Sequence, residues 1–105
     1  MPIYLTLDTY SNKGASGIVD GDSGRRAAVE ASHESVGAKV VDYFITRAQY
    51  DFCVIAEADS FEVIAALTLK ARASGTVDNL FTLESVDVEK IRNVTKGVQY
   101  TPPGG

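Results

Sequence analysis

Several residue types are scarce in this chain of 105 residues, and each shortage excludes a class of protein. Tryptophan is absent, and cysteine and histidine occur once each, as Cys53 and His33. One cysteine excludes an internal disulfide framework and a zinc cluster built on cysteines, so a metal site would have to rely on carboxylates. We therefore predict no metal site, and no motif in the sequence indicates a cofactor.

Basic residues are a minority, with 10 Lys and Arg against 14 Asp and Glu and a formal net charge of −4. This balance lacks the basic surface with which nucleic-acid-binding proteins neutralise phosphates. Apolar runs such as residues 52–56 are far shorter than the ~20 residues of a membrane-spanning helix. The first six residues have no charged n-region of a signal peptide. We expect one soluble cytoplasmic domain that binds neither nucleic acid nor membrane.

Hydrophobic periodicity predicts strands over residues 3–8, 39–46, 51–58 and 76–88. Helices are expected from a cap at Asp22 or Ser23 to about residue 36, and from a capping box of Asp59 and Glu62 to residue 74. The glycine-rich residues 11–24 are expected to form a loop with at most a short helical turn. The order βαββαβ indicates a ferredoxin-like α+β fold, a four-stranded antiparallel sheet with two helices on one face.

Small side chains at Ala28, Ala31 and Ser32 share one face of the first helix, which predicts a close approach to the sheet. After residue 88, one further helical turn is expected over residues 89–93. We place the domain boundary there, with residues 94–105 as a C-terminal tail that is either disordered or an arm across a partner subunit. Tyr100 would anchor such an arm.

Both faces of the predicted sheet carry apolar side chains. In the first strand, Leu5 and Leu7 face one way while Tyr4, Thr6 and Asp8 face the other. Two such sheets packed face to face would bury ~1,000 Å² or more, an area typical of stable interfaces. The pattern predicts a homodimer, and the alternative is a monomer with a partly apolar sheet in water.

Residues 48–55, Ala-Gln-Tyr-Asp-Phe-Cys-Val-Ile, resemble the GYD-domain family, small bacterial proteins named for a Gly-x-Tyr-Asp hairpin followed by an apolar strand. The resemblance covers residues 2–93, and Ala48 stands where the family has glycine. It implies a dimeric α/β barrel of unknown function. More distantly, the hairpin resembles that of effector domains of leucine-responsive transcription regulators, which implies small-ligand binding near subunit contacts. The matching residues outside the hairpin include Tyr4, Gly14, Gly37, Lys39, Tyr43, Phe44 and Phe81.

The hairpin supplies the first candidate ligand-binding residues, which are Arg47, Gln49, Tyr50 and Asp51. A phenol and a carboxylate on a turn could bind a polar ligand. The alternative is structural, because Asp accepts backbone N–H bonds in turns and Tyr packs its ring.

Arg25 and Arg26 follow a glycine-rich segment at the start of a predicted helix, where they could complete an anion site. The alternative is neutralisation by neighbouring carboxylates. His33 is a further candidate, either a ligand-binding residue or a solvated side chain. Cys53 is interpreted as a packing residue.

A polar set within the sheet comprises Tyr4, Thr6, Asp8, Asp42, Glu57, Thr82 and Glu84. A carboxyl enclosed on one face would have a raised pKa and could act as a base, whereas one at a strand end would lie in water. Strand register decides between these outcomes, since a shift of one residue reverses every assignment.

Three functional hypotheses follow. The first is a homodimeric or higher-order small-ligand-binding or sensing module with its ligand near residues 47–51 at a subunit junction. The second is a cofactor-independent isomerase or monooxygenase of the dimeric α/β-barrel type, with His33 or an enclosed carboxyl as base and a pocket of about 300 Å³ or more. The third is an oligomerising partner protein without a small-molecule site.

Overall fold

A four-stranded antiparallel sheet forms the centre of the protein in a computed structural model that describes residues 1–21 and 24–104. Its strand order is β2-β3-β1-β4, so the first strand occupies an inner position. The elements βαββαβ occur in the predicted order, which confirms the α+β fold class, and two further helices are added to them. The described elements are β1 (Ile3–Tyr10), α1 (Asn12–Asp20), α2 (Arg25–Glu34), β2 (Lys39–Ile45), β3 (Phe52–Glu57), α3 (Phe61–Ala73), β4 (Val77–Glu84) and α4 (Val88–Thr95).

The helix α1 occupies the segment that was expected to be mainly a loop. Ser11 caps it by accepting a hydrogen bond from the Gly14 N–H at 3.1 Å, and the Ser11 N–H donates to the Thr76 carbonyl oxygen at 3.0 Å. A Cβ atom at Gly14 would lie 2.0 Å from that same oxygen. Glycine here permits a close approach between backbones, and this long-range contact outweighs the low helix propensity of the segment.

The helix α2 differs from the expectation in how it faces the sheet. Its predicted capping residues, Asp22 and Ser23, lie outside the described residues. The small side chains of Ala28, Ala31 and Ser32 are exposed, so the predicted close approach is wrong. The larger Val29 and His33 are the half-buried residues, together with Glu30. The physical reason is a cavity beneath this helix, lined in part by Ala28 and Ser32, which separates this face of the helix from the sheet.

The helix α3 packs on the sheet through Ile64, which is buried, and through the half-buried Leu67. Its N-cap position is held by Ser60 without a side-chain hydrogen bond, so the predicted capping box of Asp59 and Glu62 is wrong. The chain leaves the helix through Gly75, whose φ of 80° fits a glycine stop.

The two faces of the sheet have different compositions. On β1, Tyr4 pairs with Ala56 and Glu84, Thr6 with Val54 and Thr82, and Asp8 with Phe52 and Leu80. These residues share the face beneath α2 and α3. The opposite face, here called the open face, is uncovered among the described residues. Its apolar side chains include Ile3, Leu5, Leu7, Phe44, Cys53, Ile55, Phe81 and Leu83.

The helix α4 is longer than the single turn expected after the last strand, and the predicted domain boundary after residue 93 falls inside it. Asp87 caps it by accepting a hydrogen bond from the Glu89 N–H at 2.8 Å. Its apolar residues Val88, Ile91 and Val94 are exposed. In the described part of the chain, the helices are all too short or too polar to cross a membrane.

Candidate functional site

A cavity of about 490 Å³ lies between the covered face of the sheet and the helices α1, α2 and α3. This volume falls in the range of small-molecule sites, roughly 300–1,000 Å³. Its polar lining comes from both the sheet and the helices. The apolar lining residues are Ile18, Ala28, Val29, Phe52, Val54, Ile64, Leu67, Ala71, Val77 and Leu80, and the polar ones are Thr6, Asp8, Tyr10, Lys13, Arg25, Ser32, His33, Tyr43, Thr68, Lys70, Ser74 and Thr76, with Gly14 and Gly17 of α1 beside them.

Asp8 is the buried acid of this cavity, with 2 % of its surface exposed. Its Oδ1 atom has no hydrogen-bond partner among the described residues. Burial raises the pKa of the carboxyl from its ordinary value of 3.8 to about 7, because the charged form loses its hydration. Near neutral pH this group can therefore both accept and release a proton.

His33 lines the same cavity from α2. Its Nδ1 atom lies 2.8 Å from the Val29 carbonyl oxygen. Because a carbonyl oxygen only accepts hydrogen bonds, Nδ1 must carry the proton of this bond. In the neutral ring Nε2 is then an acceptor. The neutral form of His33 thus adds an acceptor to the lining residues, besides the Asp8 carboxyl.

An aromatic group forms the end of the cavity beside β2 and β3. Tyr10 stacks on Phe52 with ring centroids 4.8 Å apart, and its hydroxyl lies 3.5 Å from that of Tyr43. Burial and this hydroxyl pair raise the pKa of Tyr10, so its phenol stays protonated at neutral pH.

Cationic side chains line the exposed rim of the cavity. Lys13, Arg25 and Lys70 all belong to the lining and are all exposed, whereas Asp8 is buried. Lys13 also donates from Nζ to the Ser74 carbonyl oxygen at 3.2 Å, which holds it near the α3–β4 turn. The cavity therefore combines an acidic interior with a basic entrance.

Of the seven residues predicted as ligand-binding candidates, Arg25 and His33 are the two that line the cavity. Arg26 instead forms surface ion pairs with Glu30 at 3.5 Å and Asp42 at 3.3 Å. Arg26 is thus neutralised by carboxylates, which was the alternative to an anion site, whereas Arg25 lines the cavity.

The predicted hairpin residues lie away from the cavity lining. The Asp51 Oδ2 atom accepts a hydrogen bond from the Tyr10 N–H at 2.8 Å, and the Asp51 N–H donates to the Asp8 carbonyl oxygen at 2.8 Å. Asp51 therefore fastens the β2–β3 connection to the end of β1. Ala48 has a φ of 83°, the left-handed conformation that favours the glycine of the family pattern.

Tyr50 packs edge-on against Phe81, with ring centroids 5.7 Å apart, at the margin of the open face. Arg47 and Gln49 are exposed. Cys53 lies on the open face, and burial raises the pKa of its thiol, which disfavours the reactive thiolate. A ligand-binding role for residues 47–51 remains a prediction.

Asp8 belongs to the polar set of the sheet but not to the residues predicted to bind a ligand. The signal that could have found it is the alternation in β1, where Thr6 and Asp8 take positions that would be apolar in an ordinary core. In the described part of the chain, His, Cys, Asp and Glu side chains form no group of three or more that could hold a metal ion.

The topology defines the chain as a ferredoxin-like α+β protein, and solved structures share this fold. The crystal structure of FFRP-DM1 matches with a TM-score of 0.55 and 14 % identity, covering 82 % of this chain and 100 % of that one. The hypothetical protein PHS023 from Pyrococcus horikoshii matches with a TM-score of 0.52 and 16 % identity, covering 83 % and 92 %. At these identities the likeness concerns the fold alone.

The GYD-domain family model matches residues 4–95, so the chain belongs to the GYD-domain family. A relative from Thermus thermophilus is 26 % identical over 88 residues, which are 84 % of this chain and 92 % of the relative. That relative is named glutamine synthetase and cystathionine beta-lyase binding protein.

Proposed function

We propose that the protein is a homodimeric module of the cytoplasm that binds a small molecule. The observation that carries the ligand-binding part is the cavity of about 490 Å³ whose lining includes Asp8, a buried carboxyl with an Oδ1 atom that is unpaired among the described residues. An unpaired buried carboxylate costs several kcal/mol, and an apolar side chain in its place would fill the space. A ligand that pairs with Asp8 would offset that cost.

The open face supports the self-association part of the proposal. Phe44, Phe81 and Leu83 are each about half exposed there, at 49 %, 56 % and 54 %. Contiguous apolar patches of this kind are uncommon on monomeric proteins and usually mark interfaces. A second copy packed on this face would bury ~1,000 Å² or more, which suffices for a stable dimer. A free buried thiol at Cys53 is compatible with a reducing compartment.

The ligand part is tested on protein purified under native conditions. The wild type and Asp8→Asn are desalted and denatured, and the released small molecules are identified by mass spectrometry. Recovery of a compound from the wild type, with at least tenfold less from Asp8→Asn, supports the proposal. Asp78→Asn, which changes an exposed carboxylate of β4, is the matched control. The absence of any released compound, together with no response to added small molecules, contradicts the proposal.

Self-association is tested by analytical ultracentrifugation of Leu83→Lys. A charge on the open face should weaken the dimer at least tenfold, because it would be buried without a partner. Leu69→Lys is the matched control, since Leu69 is a leucine of similar exposure, 61 %, on the outer side of α3. A wild type that sediments as a monomer contradicts the homodimer.

Binding of another protein is a broader alternative that the relative's name supports, since that protein is described as binding two enzymes. For this chain we propose that a second copy, and not another protein, occupies the open face. A monomeric wild type whose capture of a glutamine synthetase is lost in Leu83→Lys would assign the face to that partner instead.

A cofactor-independent enzyme is the second candidate, and one observation favours it. A buried carboxyl that lines a cavity and has a pKa raised to about 7 has the properties of a general base. An isomerase of this kind removes a C–H proton next to a carbonyl group. Proton NMR in D₂O with a panel of small ketones tests it: the wild type should exchange that hydrogen for deuterium and Asp8→Asn should not.

A further inference from the structure

We propose that the cavity binds a small zwitterionic molecule, with an ammonium group at Asp8, an apolar middle, and a carboxylate at the cationic rim. This inference rests on the proposed ligand-binding function and adds the chemical class of the ligand. It places the site between the helix layer and the sheet, away from the hairpin.

The interior of the cavity selects a hydrogen-bond donor. Asp8 lines the cavity and is buried, and its Oδ1 atom has no hydrogen-bond partner among the described residues. His33 also lines the cavity, and in the neutral ring its Nε2 atom is an acceptor, because Nδ1 donates to the Val29 carbonyl oxygen. A protonated amine carries three N–H donors and a positive charge, which complements a carboxylate and a neutral imidazole nitrogen.

The middle of the cavity selects an apolar body. Val54, Ile64 and Leu67 contribute its walls from the sheet and from α3, and Phe52 is stacked with Tyr10 beside them. A ring or a short alkyl chain would bury its surface here at about 25 cal/mol for each Å² removed from water.

The rim selects an anion at the far end of the ligand. Lys13, Arg25 and Lys70 are exposed members of the lining. They would repel a simple amine that approaches the entrance, whereas a carboxylate would be attracted and held. A purely anionic ligand would be favoured at the rim but would meet the Asp8 carboxyl inside. The two charges of the ligand must therefore be separated by its apolar body.

The test uses one rigid zwitterion and its two halves, namely 4-(aminomethyl)benzoate, benzylamine and benzoate. Each is titrated into the 105-residue chain at pH 7.5, and binding is measured by isothermal calorimetry and amide NMR shifts. We expect the zwitterion to bind at least tenfold more tightly than either half. Asp8→Asn should remove at least tenfold of its affinity, and Asp78→Asn should leave it unchanged.

Two further variants keep the assignment falsifiable. In the double variant with Arg25→Gln and Lys70→Gln, the affinity for the zwitterion should fall to that for benzylamine. The affinity for benzylamine itself should not fall. His33→Gln should lower the affinity for the two probes with an amino group, the zwitterion and benzylamine, and leave the affinity for benzoate unchanged. Circular dichroism checks that each variant is folded.

Three outcomes would overturn the inference. Equal binding of benzoate and the zwitterion would show an anion site at the rim alone. Equal affinities of wild type and Asp8→Asn for the zwitterion would remove Asp8 from the site. Failure of all three probes, while the native protein still releases a bound compound, would refute the ligand class and leave the proposed ligand-binding function standing.

Discussion

Replacement of Asp8 by asparagine should stabilise the protein, and the gain should grow with pH. The carboxyl has a pKa of about 7 in the folded protein against an ordinary value of 3.8. Between these two pH values the folded state binds more protons than the unfolded state, so the free energy of unfolding of the wild type falls as pH rises. Asparagine keeps the shape of the side chain and removes the ionisation.

The size of the effect follows from the two pKa values. One pKa unit corresponds to about 1.4 kcal/mol, so the fully developed cost of ionising Asp8 is about 4 kcal/mol above pH 7. At pH 5 only part of this cost has appeared, roughly 2 kcal/mol by the same relation. These are upper values, because relaxation around the charged group reduces its cost.

Urea unfolding followed by far-ultraviolet circular dichroism is a suitable assay, since the chain lacks tryptophan. Wild type and Asp8→Asn are compared from pH 5 to pH 8 at one protein concentration, because dimerisation would make stability depend on concentration. The comparison is repeated in a His33→Gln background, and Asp78→Asn serves as the exposed control. Titratable or charged groups that line the cavity or couple to Asp8 are Tyr10, Tyr43, His33, Cys53, Lys13, Arg25 and Lys70.

A stability difference that stays constant from pH 5 to pH 8 would refute the reasoning. So would an asparagine variant that is less stable than the wild type at pH 8, because the carboxylate would then be well paired in the folded protein. Either result would also withdraw the main support for a ligand at this position.

Three other substitutions test the backbone geometry by urea unfolding. Ala48→Gly should raise the free energy of unfolding by up to about 1 kcal/mol, because φ is 83° at this position. Ala27→Gly, on the exposed side of α2, should lower the free energy of unfolding by about as much. Changes of the same sign in the two variants would contradict this reasoning. Gly14→Ala should lower it by about 3 kcal/mol or more, because its Cβ would lie 2.0 Å from a backbone oxygen, whereas Gly17→Ala meets open space and should be neutral or stabilising. Asp51→Ala should lower the free energy of unfolding by about 1–3 kcal/mol by leaving the last backbone N–H of β1 unpaired, and an unchanged stability would contradict this structural role.

The fold was predictable because its elements have strong periodicity. Alternation in β1 placed Leu5 and Leu7 opposite to Thr6 and Asp8, and the strand register confirms that arrangement. The helix α1 was missed because its stability depends on a contact between Gly14 and a residue more than 60 positions away. Local propensity contains no information about such a contact.

The cavity was only partly predictable. Arg25 and His33 were candidates on chemical grounds, and both line it. The small residues of α2 indicated close packing, but a helical pattern shows which residues share a face and not how far that face stands from the sheet. Asp8 could be recognised as enclosed only once the covered face of β1 was known, because a shift of one residue would have placed it in water.

The inner strand β1 explains why the cavity and the open face occur together. If its alternation were reversed, Leu5 and Leu7 would lie beneath the helices and fill the cavity, and Asp8 would be hydrated on the opposite face. That arrangement would favour a more stable monomer, because it buries leucine and exposes the acid. The chain has the opposite arrangement, with leucines outside and, inside, an acid that is unpaired among the described residues. We infer that binding offsets both unfavourable placements. A small molecule would offset the buried acid, and a second copy of the chain would offset the leucines on the open face.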